Sequence, residues 1–152
     1  MSRVRSLLWF WGPPVAWMAI IFTASCDTES AHHSSVLFEP LLHWLFPGMP
    51  QDQIEGWHHA FRKSCHMMEY AVLAGLVWRA VRQSRRGERR PWLRDHALLS
   101  LTVVFAYAAT DEFHQVFVPS RTAQVSDIGF DVTGGGLGLL LVWLLGKWRR
   151  RW

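Results

Sequence analysis

The sequence predicts an all-α fold: a four-helix transmembrane bundle with an external interfacial helix or loop between the first and second helices. Three observations predict it. Half of the 152 residues are hydrophobic, yet the mean hydropathy lies near zero because the charges are gathered into a few segments. Between those segments lie apolar runs approaching the roughly 20 residues that a spanning helix needs. The basic residues are also distributed unevenly along the chain. The spans are placed at about 7–25, 52–81, 97–118 and 127–146 within a single domain, 1–152.

The charge distribution orients the bundle. The net charge is +4, but nucleic acid is not the expected partner. Of the 16 Lys and Arg residues, only Arg62, Lys63 and Arg121 fall on one side of a four-span arrangement. Arg3, Arg5, the arginines of 79–94 and those following Lys147 share the other side, as basic residues do in the cytoplasm. Both termini are therefore expected there, with the protein multi-pass in the cytoplasmic (inner) membrane. The arginine-rich link then meets anionic lipid head groups. The first span has a basic start but no favourable small-x-small site, so it is expected to be retained.

Span one contains Pro13 and Pro14, which fit near a helix start or at a kink. The external segment after it is apolar over 36–46 but too short to span. It reads as an interfacial or re-entrant helix ended by Pro47-Gly48. His32, His33, His58 and His59 are external, and without partners at ligand spacing they read as solvated side chains. The second helix is expected to begin just after Pro50 and to project beyond the bilayer, with Ile54, Trp57, Phe61, Met68 and Val72 along an apolar face. His66, Glu69 and Tyr70 share a second face by their spacings of three and four. Ala71 and Gly75 form a small-xxx-small pair, and Gly134 and Gly138 form another, so these two faces are expected to pack together. Ser126 or Asp127 is placed to cap span four. Cys26 and Cys65 both fall at the external side; a disulfide and two separate thiols are both open, the second favoured.

The stretch 110–138 carries the polar residues on which function is expected to rest. Asp111, Glu112, His114 and Gln115 end span three, and Asp127 and Asp131 begin span four. With His66 they fall in one leaflet, where ionisable groups are costly and usually functional. Asp127 and Asp131 sit at a helix N-terminus, where the dipole favours them; Asp111 and Glu112 sit at a C-terminus, where it does not. The latter pair therefore needs a cation. Arg121 on the connecting turn is the first candidate, followed by a protonated His66 or His114 and then a metal ion.

His66-x-x-x-Tyr70, Asp111-Glu112-x-x-Gln115, Pro119-x-Arg121 and Asp127-x-x-x-Asp131-x-x-Gly134, in this order, resemble the VanZ-like family. The resemblance covers all four spans. It implies a small four-helix membrane protein, and the family's founding member is associated with low-level teicoplanin resistance. It implies no particular reaction. This chain differs in a long, histidine-rich external loop and in Asp131, where the family usually has an Asn-like group.

Three functions remain open on this reading. The first is an envelope protein that binds a lipid-linked cell-wall precursor, a phospholipid or a glycopeptide-related ligand in an outward-facing pocket. Its expected ligand-binding residues are His66, Tyr70, Asp111, Glu112, Gln115, Arg121, Asp127 and Asp131. The second is a membrane-embedded hydrolase or transferase acting on a phosphate-containing lipid head group. His66, Glu69, Asp111, Glu112, His114 and Asp127 are its catalytic candidates, and a divalent metal on His66, Asp111, His114, Asp127 or Asp131 is one option. The third is a scaffold whose polar network fixes helix register, though membrane hydrogen bonds of about 0.6–2 kcal/mol do not require so many acids.

Overall fold

A computed structural model describes residues 3–26, 29–83, 91–117, 124–150 and Trp152, with the side chains of Arg3, Cys26, 29–35 and Leu37 left aside. Among the described residues there are five helices and no strand. They are α1 (Arg3–Cys26), α2 (Glu29–Leu45), α3 (Gln51–Arg82), α4 (Arg94–Gln115) and α5 (Val125–Trp148).

Local chemistry explains most of the boundaries. Pro50 sits in extended conformation just before α3, as the residue that has no N–H to leave unpaired. The α3 helix ends at Gln83, whose positive φ of 48° lets its N–H return to the carbonyl of Arg79. Pro13 and Pro14 lie within α1, away from its ends. The α5 helix corrects one expectation. Its cap position is Gln124, with no side-chain cap, and the helix already runs from Val125. Ser126 and Asp127 are thus inside the first turn. The Asp127 carboxylate turns to Lys63 rather than to the helix's own amides.

Helices α1, α3, α4 and α5 pack around a shared core in which Ile21, Tyr70, Leu73, Ala74, Val77, Val104 and Ala108 are fully buried. Their directions follow from matched residues. Along α1 and α4, the Tyr107 hydroxyl donates to the Met18 carbonyl at 2.5 Å and Ser25 donates to Asp111 at 2.8 Å, so the two helices run parallel. Along α1 and α3, Trp17 Nε1 donates to the Glu69 carbonyl at 2.9 Å while Arg79 lies 5.6 Å from the Phe10 ring, so these run antiparallel. The α5 helix runs parallel to α3, with Gly134 against Met67, Gly138 against Ala71 and Gly75 near Val142. The directions therefore alternate in the order α1, α3, α4, α5. This is the up-down-up-down arrangement that short links favour.

The α3–α5 contact rests on missing side chains. A Cβ at Gly134 or Gly138 would meet the backbone of Met67 or Ala71 at 2.8 Å or less. Gly135 points elsewhere, toward Val104 of α4, while Gly136 faces open space. The expected packing of the two small-residue faces is thus what the structure has, with Met67 as a further member.

Two of these helices, over Val4–Ser25 and Val125–Trp148, are long and apolar enough to cross a membrane. The α3 and α4 helices fall short of that measure because they carry charge along their length, including Arg62, Lys63, Glu69 and Arg79 in α3 and Asp95, Asp111 and Glu112 in α4. The outer surface of the bundle is nonetheless apolar. Leu8, Val15 and Ile20 of α1, Leu98 and Phe105 of α4, and Leu137, Leu141 and Leu144 of α5 are all exposed. The α2 helix packs on α3, where Phe38 stacks on Phe61 with ring centroids 4.6 Å apart. Of the apolar face expected on α3, Ile54 is buried, whereas Trp57, Met68 and Val72 are exposed.

Candidate functional site

The alternating helices bring the end of α1, the first half of α3, the end of α4 and the start of α5 to one end of the bundle. A cavity of about 120 Å³ opens there. His59, Arg62, Lys63 and His66 of α3 form one wall, a single helix face by spacings of three, four and seven. Glu112 and Gln115 close the side toward α4, and Gln124, Asp127, Phe130 and Asp131 come from the start of α5.

The electrostatics are built from pairs. Lys63 Nζ lies 2.7 Å from Asp127 Oδ1, both half-buried, and its ammonium stands 4.7 Å from the centre of the Phe130 ring. His66 Nδ1 is 3.2 Å from Glu69 Oε2 one helical turn away. Glu112 accepts a hydrogen bond from the Gln124 backbone N–H at 3.0 Å, which ties the end of α4 to the entry of α5. Asp131 is different. It is 5% exposed, it lines the cavity, and among the described residues its carboxylate accepts no hydrogen bond and forms no ion pair.

Asp111 lies off the cavity wall, in the core of the bundle. It accepts hydrogen bonds from Ser25 Oγ at 2.8 Å and Gln115 Nε2 at 3.2 Å, while its Oδ1 is buried and has no hydrogen-bond partner among the described residues. Gln115 therefore links this buried carboxylate to the cavity. The hydrogen-bond donors that the described residues offer to Asp111 and Glu112 are neutral: a hydroxyl and an amide for one, a backbone N–H for the other. Hydrogen bonds to a carboxylate are about twice as strong as neutral ones, and they avoid bringing a second charge into the core. Arg121, the expected cation, lies outside the described residues, as do Pro119 and the turn around them.

The remaining expected residues are placed apart from the cavity. Tyr70 is fully buried, its ring 6.1 Å from that of Tyr107, and its hydroxyl has no hydrogen bond among the described residues. His114 packs against Phe22 with ring centroids 4.5 Å apart and is not among the residues lining the cavity. Glu69 is not among the residues lining the cavity and meets His66, which is. Cys65 is a free, half-buried thiol, and the side chain of Cys26 lies outside the described residues. Among the described residues, no three His, Cys, Asp or Glu side chains are grouped to hold a metal ion.

The sequence reading passes over several residues that the structure brings to this end. Lys63 and Arg62 are sorted there only by their side of the membrane, His59 is set aside as a solvated histidine, and Ser25 is counted as the end of an apolar run. The signal for Lys63 and Arg62 is their position three and four residues before His66, on its own helix face.

Neither a curated protein nor a solved structure matches the chain. A family model described as VanZ/LLP1 matches residues 10–146, which takes in most of α1, all of α2, α3 and α4, and nearly all of α5. The chain belongs to the VanZ/LLP1 family.

Proposed function

We propose that this chain is a multi-pass membrane protein of the cell envelope, with both termini cytoplasmic, whose outward-facing cavity binds the charged head group of a lipid-linked ligand. A phospholipid or a phosphate-bearing cell-wall precursor is the class of ligand in view. The observation that carries the reading is the wall of His59, Arg62, Lys63 and His66 facing Asp127 and Asp131 across a cavity, inside a bundle with an apolar exterior. Charged groups are kept in such surroundings where a polar ligand or pathway uses them.

Two features support four crossings. The α1, α3, α4 and α5 helices alternate in direction. In addition, Arg79, Arg82, Arg94 and Lys147 gather at the end opposite the cavity. Arg82 lies 4.9 Å and 4.8 Å from the rings of Trp78 and Trp152 there, and such an aromatic and basic belt suits a cytoplasmic interface. The charged residues of α3 and α4 then face the core and cavity or lie near the ends, rather than lipid.

Cavity size narrows the ligand. Pockets for drug-sized molecules measure about 300–1,000 Å³, so about 120 Å³ suits a head group and not a glycopeptide. The connection to teicoplanin that the family implies would then act through the exposure of a membrane-bound ligand, not through capture of the drug.

Native mass spectrometry of the purified full-length protein tests the proposal. A phosphate-containing lipid should remain bound after detergent exchange and be lost from Arg62→Gln and Lys63→Gln. Retention of no specific lipid, or equal retention by both variants, would overturn it.

A further inference from the structure

The Lys63–Asp127 pair neutralises itself within the cavity, and the His66 ring leans on Glu69. Arg62 then remains as a half-buried positive group on α3, and Asp131 as a deeply buried negative one on α5. Asp131 lies four residues beyond Asp127, about 6 Å further along the helix axis, and so deeper from the outward end. A carboxylate enclosed in this way without a hydrogen bond calls for a donor. Among the described residues no group on the wall donates a hydrogen bond to it, although the His66 ring stands close enough to act on its charge.

We propose that the ligand is a zwitterion of the phosphoethanolamine type, its primary ammonium bonded by Asp131 and its phosphate held toward Arg62 and Lys63. This rests on the head-group reading above and adds the amine to it. A phosphate alone would match Arg62 but leave the Asp131 carboxylate without a donor. A bare metal ion would need several ligands, and no group of three is present among the described residues. A trimethylammonium head group is disfavoured for two reasons. It has no N–H to give Asp131. It also depends on aromatic faces, and Phe130, the one phenyl ring on the wall among the described residues, already lies beneath the Lys63 ammonium. Phe130 is itself 45% exposed, so it forms an apolar sill across which acyl chains can leave toward the bilayer.

The test offers the purified full-length protein equal amounts of phosphatidylethanolamine, phosphatidylglycerol and phosphatidylcholine with identical acyl chains, and reads bound lipid by native mass spectrometry. Phosphatidylethanolamine should be held over each of the others by about tenfold, the scale of one charge-assisted hydrogen bond. Asp131→Asn should bring its ratio to phosphatidylglycerol to about one, Asp131→Glu should preserve the preference, and Arg62→Gln should weaken both lipids alike. If the wild-type protein binds phosphatidylglycerol as well as phosphatidylethanolamine, and Arg62→Gln lowers both, the phosphate reading stands and the ammonium assignment is overturned. Equal retention of phosphatidylcholine overturns the ammonium assignment too. If no lipid is held and Arg62→Gln changes nothing, both readings fall. Competition by soluble glycerophosphoethanolamine separates the sources. Displacement at concentrations comparable to the lipid supports a soluble zwitterion as ligand, and resistance to displacement supports the lipid. Because the wild-type ratios decide the matter, a variant that fails to fold leaves the test intact.

Discussion

Asp111 of α4 accepts a hydrogen bond from the Ser25 hydroxyl of α1 at 2.8 Å, and both side chains are buried. The bond joins the ends of two parallel helices at the level of the cavity. Gln115, the acid's other donor, reaches from there to the cavity wall. Removing Ser25 Oγ leaves a carboxylate that already has one unpartnered oxygen with one donor fewer. Ser25→Ala should destabilise the protein by about 1–2 kcal/mol, read as a lowered melting temperature in detergent. Thr23→Ala removes an exposed hydroxyl that bonds only to the Ile20 carbonyl, and should leave the melting temperature close to that of the wild type. Equal effects would show that the Ser25–Asp111 bond contributes nothing particular.

The glycines of α5 make a sharper prediction because they divide by direction. Gly138→Ala would drive a methyl group into the Ala71 backbone, and Gly134→Ala would drive one into that of Met67. Neither contact ends on a flexible side chain that could move aside. Each substitution should cost about 1–3 kcal/mol, as overpacking does, in an SDS-unfolding titration. Gly136→Ala meets nothing within 4 Å and should be neutral or stabilising by up to about 1 kcal/mol, the helix preference for Ala. A ranking in which Gly136→Ala is the most damaging would refute the α3–α5 packing.

How far the sequence alone leads depends on the kind of interaction. Helix existence is carried by local signals, so α1, α3, α4 and α5 lie close to their expected places, and Pro50 marks the start of α3 as expected. Close approach of backbones leaves a trace in composition, and the spacing of Ala71, Gly75, Gly134 and Gly138 identifies it. Partner choice leaves no such trace. Nothing near Ser25 in sequence indicates an acid 86 positions away. Likewise, Asp127 reads as a helix cap until Lys63 is brought beside it, 64 positions distant. The sequence-based argument that acids at a helix C-terminus need a cation weighs only charges. It leaves out neutral donors such as the backbone N–H of Gln124 for Glu112 and the amide of Gln115 for Asp111.

The Lys63–Asp127 bridge spans α3 and α5 at the cavity mouth, where both groups are half-buried. Solvent screening limits what it adds to stability. A double-mutant cycle with Lys63→Met and Asp127→Asn should give a coupling of about 0.5–1 kcal/mol. Lipid retention should respond more strongly than stability, because the same ammonium faces the proposed phosphate. A coupling near zero, with lipid retention unchanged in both single variants, would remove Lys63 from the binding site.

Topology is open to direct measurement. Green fluorescent protein folds to a fluorescent form in the cytoplasm, and alkaline phosphatase is active only outside it, where its disulfides form. A fluorescent protein fused after Trp152 should be bright, and one inserted at 86–88, between α3 and α4, should be bright as well. Alkaline phosphatase fused after Met49, between α2 and α3, should be active, and so should one fused at Gln124 after α4. The alternation of α1, α3, α4 and α5 requires this pattern if all four helices cross, whereas a bundle anchored only by α1 and α5 would place 86–88 and Gln124 on the same side. Activity of a phosphatase fused after Trp152 would reverse the orientation and turn the cavity toward the cytoplasm, away from any ligand at the outer face.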